Sequence, residues 1–466
     1  MRGGTSGGGL CALLLCIGLA NPAGAMTLEE AFATAYETNP ELLEARAGLR
    51  ATDEGVAQAR AGLRPQLGVS ATYGSEYVNN NLGDGTSDPF GLNLNATQPL
   101  YDGGQTQNNV RSAVADVSAT RARLAALEQQ VLFDVVEAYL DIRRDEEFVR
   151  LAENNVRVIA EELRASRDRF EVGEVTRTDV SQAEARQAEA QANLASARGA
   201  LARSRQNFTL VVGAEPVGLA PPPALPSVPG SLDDAVTIAL ESHPLVLAAR
   251  FDEQSAESAI RAQIGGLLPQ VELEGSVGYN DSHIFDSPSG RQTGTATSAT
   301  VGVRATIPLY QGGAQYSRVR QAQAAASQAR AAITTEARSR RQLVEAAWSE
   351  LLVARANIRS VREQVEAQRL AFEGVREEAI VGSRTTLDVL DAEQELLDAR
   401  VRLAESIRNE YVAQYGLIAA IGQLSLAALD IPTVPYDPGV NYDANNARWF
   451  GFEQTEDTVW EEVWRP

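Results

Sequence analysis

Two periodicities divide the chain. Leu67, Val69, Ala71 and Tyr73 alternate with Gly68, Ser70, Thr72 and Gly74, and Leu92, Leu94 and Ala96 with Asn93, Asn95 and Thr97. The alternation returns at Val271, Leu273, Gly275, Val277 and Tyr279, and again at Ala299, Val301, Val303, Ala305 and Ile307. A period of two predicts β-strands, two in each half of the chain. Each is about 10 residues, which suits a tilted strand crossing a bilayer and equally a soluble strand with one wet face. Alternation alone does not separate these. The polar, Gly-rich stretches 79–89 and 281–297 between the paired strands read as exposed loops.

Elsewhere the period is helical. Val110, Val117, Leu124, Val131 and Ala138 recur every seven residues, a coiled-coil spacing. Val319, Ala326, Ile333, Arg340 and Ala347 keep that spacing but admit an arginine. A continuous helix over 105–170 would be about 100 Å long at the α-helical rise, more than most soluble domains need. Val172-Gly173 and Val381-Gly382 end these segments, and second long helices are predicted from Asp179 to Val212 and from Asp388 to Ile421. Each half therefore contributes an αα-hairpin with its tip at Gly173 or Gly382.

The two halves repeat. Thr27 with Glu30 is a capping-box start, Asn39-Pro40 breaks the first helix, and a second runs from about Glu41 to Leu63. Ser231 to Ala235, His243-Pro244 and the following helix repeat this plan 204 positions later, and Pro65-Gln66 recurs as Pro269-Gln270. Between strands and long helices lies Pro99-Leu100-Tyr101-Asp102-Gly103-Gly104, repeated as Pro308-Leu309-Tyr310-Gln311-Gly312-Gly313. Proline cannot donate to a ladder and glycine admits left-handed backbone, so each copy reads as the joint where strand stops and helix starts. From the joints onward the offset is 209 and constant, pairing Arg111 with Arg320, Tyr139 with Trp348, Asp179 with Asp388 and Gly213 with Gly422. The slack thus lies in the strand-and-loop region, and the length of the helices is held constant.

Charge and composition narrow the classes. The 466-residue chain has a net charge of −21 and no lysine, which argues against nucleic acid and against a basic patch on anionic lipid. Arg2, the apolar run 10–20 and Ala23-Gly24-Ala25 read as an export signal over residues 1–25, and both cysteines, Cys11 and Cys16, lie inside it. A mature chain without thiols excludes disulfides and zinc–thiolate sites. No later segment reaches the roughly 20 apolar residues of a spanning helix, so any membrane insertion is by strands. The resulting plan is a leader (1–25), a first repeat (26–220), a Pro-rich connector (221–230), a second repeat (231–425) and an acidic tail (426–466) holding Trp449, Trp460 and Trp464. The tail is expected to be partly disordered or wrapped on the surface.

Four strands per chain are too few to close a barrel, so in a membrane their edges must be satisfied by further copies. With this the resemblance becomes plain. The chain resembles the TolC family of outer-membrane efflux proteins, or outer-membrane factors, over nearly all of 27–425. The motifs that carry it are the two joints, the paired Asn39-Pro40 and His243-Pro244 breaks, and the tips Phe170-Glu171-Val172-Gly173…Thr178-Asp179-Val180 and Val381-Gly382-Ser383-Arg384-Thr385-Thr386-Leu387-Asp388-Val389-Leu390-Asp391-Ala392. The resemblance implies a mainly α fold with a β-barrel portion: a homotrimer whose twelve-stranded outer-membrane barrel continues as an α-helical barrel across the periplasm of a Gram-negative bacterium. It implies a passive duct without cofactors, serving tripartite efflux or type I secretion. Its partners would be a periplasmic adaptor (membrane fusion) protein, meeting the tips near Gly173 and Gly382, and an inner-membrane pump or ABC exporter.

The tips also carry readable chemistry. Asp388 and Asp391 lie three residues apart at a helix start, where carboxylates favour the helix N-terminus. An ordinary capping pair explains them in one chain; in a symmetric trimer each becomes an acidic ring of the kind that selects cations. By resemblance they match the family's periplasmic constriction, and Arg384 the arginine that ties this tip to Thr178 and Asp179 on a neighbouring hairpin. The family often has tyrosine three residues before the tip glycine; this chain has Ala379. Two alternatives stand beside the duct. A soluble periplasmic coiled-coil scaffold or adaptor explains the hairpins but not the strands. An enzyme is the weaker of the two: the acid pairs Glu146-Glu147 and Glu377-Glu378 read as solvated faces, and neither His243 nor His283 has a nucleophile or metal partner in view.

Overall fold

A computed structural model describes residues 25–80, 83–284 and 292–452. The expected leader, apart from its last residue, and Trp460 and Trp464 fall outside the described residues. Two short helices open the fold, α1 (Leu28–Thr38) and α2 (Pro40–Ala61). Thr27 and Glu30 form the expected capping box, each side chain bonding the other's backbone N–H at 3.1 and 2.9 Å. Asn39 accepts from the Glu41 N–H at 2.9 Å and so caps α2, with Pro40 at its first position.

The strands β1 (Gln66–Tyr73), β2 (Glu76–Asn80), β3 (Gly83–Ser87) and β4 (Phe90–Tyr101) follow. They correct the expected loop at 79–89. Gln66 pairs with Thr97, Tyr73 with Phe90, Glu76 with Ser87 and Asn80 with Gly83, all in one uninterrupted register. The Gly74 N–H donates to Pro89 O at 3.2 Å across the gap. One long hairpin is thus nicked where Pro89 has no N–H to give, and the two expected strands are recorded as four segments.

The first long hairpin is α3 (Gln105–Glu171) and α4 (Arg177–Val212). The chain then crosses to α5 (Leu232–Ser242), α6 (Pro244–Gly265), β5 (Gln270–Ile284), β6 (Gln292–Thr306), α7 (Ala314–Ile380) and α8 (Thr386–Ala420), and ends in α9 (Val440–Asn445). β5 and β6 pair from Gln270–Thr306 to Ile284–Gln292, so most of 281–297 is strand rather than loop. The helix boundaries repeat residue for residue, at 204 positions for α1/α5 and α2/α6 and at 209 for α3/α7. The extra five residues fall in the connection between paired strands, which is 81–82 in the first hairpin and 285–291 in the second.

The main sheet runs β1-β4-β5-β6, with β2–β3 continuing the first hairpin and β1 and β6 at the edges. Its apolar residues line up across strands: Val69 opposite Leu94, Leu94 opposite Val277, Val277 opposite Ala299. Ser70, Asn93, Ser276 and Thr300 belong to the other set, and Ser276 and Thr300 hydroxyls meet at 2.6 Å. Among the described residues no helical layer covers the apolar set: Val69 is 70 % exposed, Tyr73 77 % and Val301 82 %. A soluble half-buried sheet would show the reverse.

The main core lies at mid-height, where α1, α3, α4 and α8 converge around Phe32, Val135, Tyr139, Phe208 and Tyr415. The Tyr139 hydroxyl lies 3.0 Å from Met26 O and 2.7 Å from Ala220 O, fixing the N-terminus and the connector together. Of the predicted heptad, Val117, Leu124, Val131 and Ala138 are buried. The tail is wrapped on the surface as far as residue 452. Tyr436 stacks on Arg46 at 5.0 Å, Asn441 donates to Asp53 at 2.9 Å, Arg60 donates to Asn446 and Arg64 to Arg448 O. Among the described residues no helix is long and apolar enough to cross a membrane.

Candidate functional site

Both tips are built alike. At the first, the Gly173 N–H donates to Phe170 O and the Glu174 N–H to Arg169 O at 3.0 and 2.9 Å, with Gly173 at φ +81°. At the second, Gly382 and Ser383 bond Ala379 O and Glu378 O at 3.1 and 3.0 Å, with Gly382 at φ +79°. This closure demands a left-handed residue, which glycine supplies without strain. A capping box then starts the return helix: Thr176 with Asp179, and Thr385 with Asp388. The boxes begin α4 and α8 two residues before the expected Asp179 and Asp388 starts, because those aspartates occupy the third helical position.

Bonds from the Thr176 backbone and side chain hold the Asp179 carboxyl below the usual carboxylate range, and Thr385 does the same for Asp388 with the Arg384 charge adding to it. Asp391 is engaged otherwise. Its carboxylate accepts from Arg186 at 2.9 Å, joining α8 to α4 of the same chain. Arg384 Nε donates to Glu378 at 2.9 Å across its own turn, and the guanidinium stays half-exposed. Thr178 is exposed on the first turn of α4. Within one chain, then, Arg384 does not meet Thr178 or Asp179. Arg186 and Glu378 are the tip partners of Asp391 and Arg384 that sequence reasoning missed. A signal existed for Arg186: its repeat counterpart is Glu395, an opposite charge at matched height. Apolar side chains surround the turns, with Val172 71 %, Ile380 67 % and Val381 78 % exposed.

The joints fall where strand gives way to helix, but they differ. In the first, β4 runs through Pro99 to Tyr101, with a register shift between Pro99 and Tyr101 against β5. The Asp102 carboxylate accepts from the Gly104 N–H at 2.9 Å and the Thr106 N–H at 2.6 Å, starting α3. Gly103 sits at φ +71°, and a Cβ there would lie 2.2 Å from Gly265 O. In the second, Gln311 replaces Asp102, Pro308 lies beyond the end of β6, and Leu309 is 90 % exposed. Gly312 and Gly313 are also left-handed, with open space where a Cβ would point.

The remaining candidates are structural. Glu146 pairs with Arg143 and Glu147 with Arg150 along α3. His243 caps α6, its Nδ1 accepting from the Leu245 N–H at 3.1 Å. Burial, with the Arg340 charge acting the same way, pushes its pKa down to about 4. The His283 side chain lies outside the described residues.

An antiparallel sheet with an exposed apolar face, continued by two long helical hairpins, is the plan of a membrane duct protein built from strands and helical hairpins. Comparison with known proteins specifies it. A profile of the family described as "Outer membrane efflux protein" matches residues 32–214 and 235–423. The outer membrane efflux protein BepC of Brucella suis is 36 % identical over 426 residues, covering 91 % of each chain. The outer membrane protein TolC of Escherichia coli is 26 % identical, covering 88 % of this chain and 84 % of its own. The fold matches the Campylobacter jejuni CmeC outer membrane channel with a TM-score of 0.74 at 16 % identity, over 90 % of this chain and 89 % of that one. The chain belongs to the outer membrane efflux protein family, the TolC family of outer-membrane factors. It is an outer-membrane channel protein for efflux or type I secretion.

Proposed function

We propose that three copies close a twelve-stranded barrel and a helical tube, a passive exit duct gated at its periplasmic tips. The observation that carries this reading is the bare apolar face of the sheet, aligned across β1, β4, β5 and β6, with unpaired edges at β1 and β6. Lipid is the solvent that such a face fits, and pairing β6 of one copy with β1 of the next leaves no open edge.

At the periplasmic end, Asp388 and Asp391 form acidic rings around the axis. Glu378 presents Arg384 at the tip, where Thr178 and Asp179 of an adjacent hairpin complete the latch. Arg186 belongs to the same lock, since it fixes Asp391 and holds the two hairpins of one chain together. The exposed Val172, Ile380 and Val381 beside Gly173 and Gly382 suit docking of a periplasmic adaptor, with an inner-membrane pump or ABC exporter supplying the energy.

Single-channel recording in planar bilayers tests the gate. Arg384→Ala is expected to raise conductance several-fold, and Asp388→Asn with Asp391→Asn to shift the reversal potential toward zero in a salt gradient. Unchanged conductance and an unchanged reversal potential would remove the gate from the tips.

A further inference from the structure

The repeat closes one seam inside the chain and leaves its counterpart open. α6 lies against α3, where Gln254, Glu257, Ser258 and Arg261 share a cleft with Arg111, Val114, Ala115 and Ser118. The Ser112 and Ser255 hydroxyls are 2.8 Å apart there. The counterparts on α2 are Arg50, Ala51, Glu54 and Ala57; those on α7 are Arg320, Gln323, Ala324 and Ser327, all four exposed. These two rows do not meet within one chain. Equivalent surfaces on successive copies of a ring would bring them together, and this step rests on the trimer proposed above.

The open row carries something the closed seam lacks. Arg50, Ala51, Glu54 and Ala57 form one wall of a cleft of about 690 Å³, whose other wall is the C-terminal segment from Asn441 to Phe452. This segment follows the second repeat only. The Trp449 ring lies under Arg64 at 4.9 Å, and Gly451 stands at φ +115°. The cleft then runs along α2 to Ala47, away from the strands that begin at Gln66. Phe450 and Phe452 are 87 % and 103 % exposed.

We propose that Phe450 and Phe452 clamp α7 of the neighbouring copy, making the tail a latch between subunits. Repeat symmetry names this occupant: α7 would stand to α2 of the next copy as α3 stands to α6 within the chain. The cleft offers Glu54 beside Arg50 and Arg448, whereas Arg330 of α7 is already paired with Glu253 and Glu257 of its own chain. Arg320, the counterpart of Arg111, would meet Glu54 and two aromatic faces there, where the cleft of Arg111 holds Glu257 and no aromatic ring. An exposed aromatic pair on a helix-lined cleft is also the composition of an interface core.

Two measurements on the full chain test this. Ala51→Cys with Gln321→Cys places thiols at the repeat equivalents of Ser255 and Ser112, and oxidation is expected to give covalently linked trimers. No such linkage would sink the seam and the clamp with it. The photo-crosslinking analogue benzoylphenylalanine at Phe452 is then expected to mark α7 of another copy. Phe450→Ala with Phe452→Ala should lower by several degrees the temperature at which the proposed trimer dissociates in mild detergent. If the disulfide ladder forms but the analogue marks lipid, a different protein or only its own α2, or the trimer's dissociation temperature is unchanged, the trimer reading stands and the clamp is wrong.

Discussion

α3 and α7 have the same length, 67 residues, a counterpart joint before them and a similarly built tip after them, yet 20 residues of α3 are buried against six of α7. The difference is position. α3 is enclosed by α2, α4, α6 and α8, while α7 packs against α5, α6 and α8 and turns its remaining face outward. Leu352, Val353 and Leu370 are more than half exposed on that face. In the proposed trimer, that face is where the next subunit would lie.

The largest expected effect compares matched aromatics. Tyr139 is fully buried in the main core, so Tyr139→Ala should cost roughly 3–5 kcal/mol of protomer stability, read by thermal unfolding in detergent. Its counterpart Trp348 is only half-buried against α5, and Trp348→Ala should cost less than half of that. Equal losses would mean that the two environments are alike after all.

Next come the joints. Gly103→Ala meets the Gly265 carbonyl and a left-handed backbone together, for roughly 2–4 kcal/mol. Gly312→Ala meets only the backbone term, about 1–2 kcal/mol. If Gly312→Ala proves as harmful as Gly103→Ala in assembled trimers but not in protomers, a neighbouring α2 closes the second joint as α6 closes the first.

The helix caps differ in titration. His243 has a folded pKa of about 4, below its ordinary 6.5, so the neutral form stabilises the fold. That stability is present above pH 6.5 and is lost as pH falls toward 4, up to about 3 kcal/mol. Asn39 performs the same capping without a proton to gain. His243→Asn should therefore flatten the pH dependence of unfolding between pH 6.5 and 4 while keeping the cap. An unaltered slope would place the titration elsewhere.

The smallest effect concerns the tips. The Arg186–Asp391 pair is well solvated, and Arg186→Ala should change unfolding stability by less than about 1 kcal/mol. Its effect belongs in channel recordings, as more frequent opening; closed-state lifetimes equal to those of the parent would exclude Arg186 from the gate.

Much of this was legible along the chain. Helix boundaries, tips and joints follow from local signals: Thr27, Asn39, Gly173 and Gly382 act within a few residues of themselves. The strand continuing through 76–80 and 83–87 was not legible, because Asn, Gly and Asp mark turns by composition while ladder pairing with an adjacent arm overrode that preference. Arg384 with Glu378, Arg186 with Asp391, and the docking of Asn441 on Asp53 were equally hidden, since long side chains reach across elements that no local pattern brings together.

By itself the sequence determined the duplicated plan, the periods of two and seven, and the places where each period stops, because these depend on side-chain spacing along one chain. Only the tertiary structure decided which copy of each element lies inside. α3 is buried and α7 is not, and Gly103 is packed where Gly312 is open. Two repeats of one plan cannot occupy identical surroundings in a single chain: the first has the second beside it, and the second, in the proposed trimer, would meet another copy.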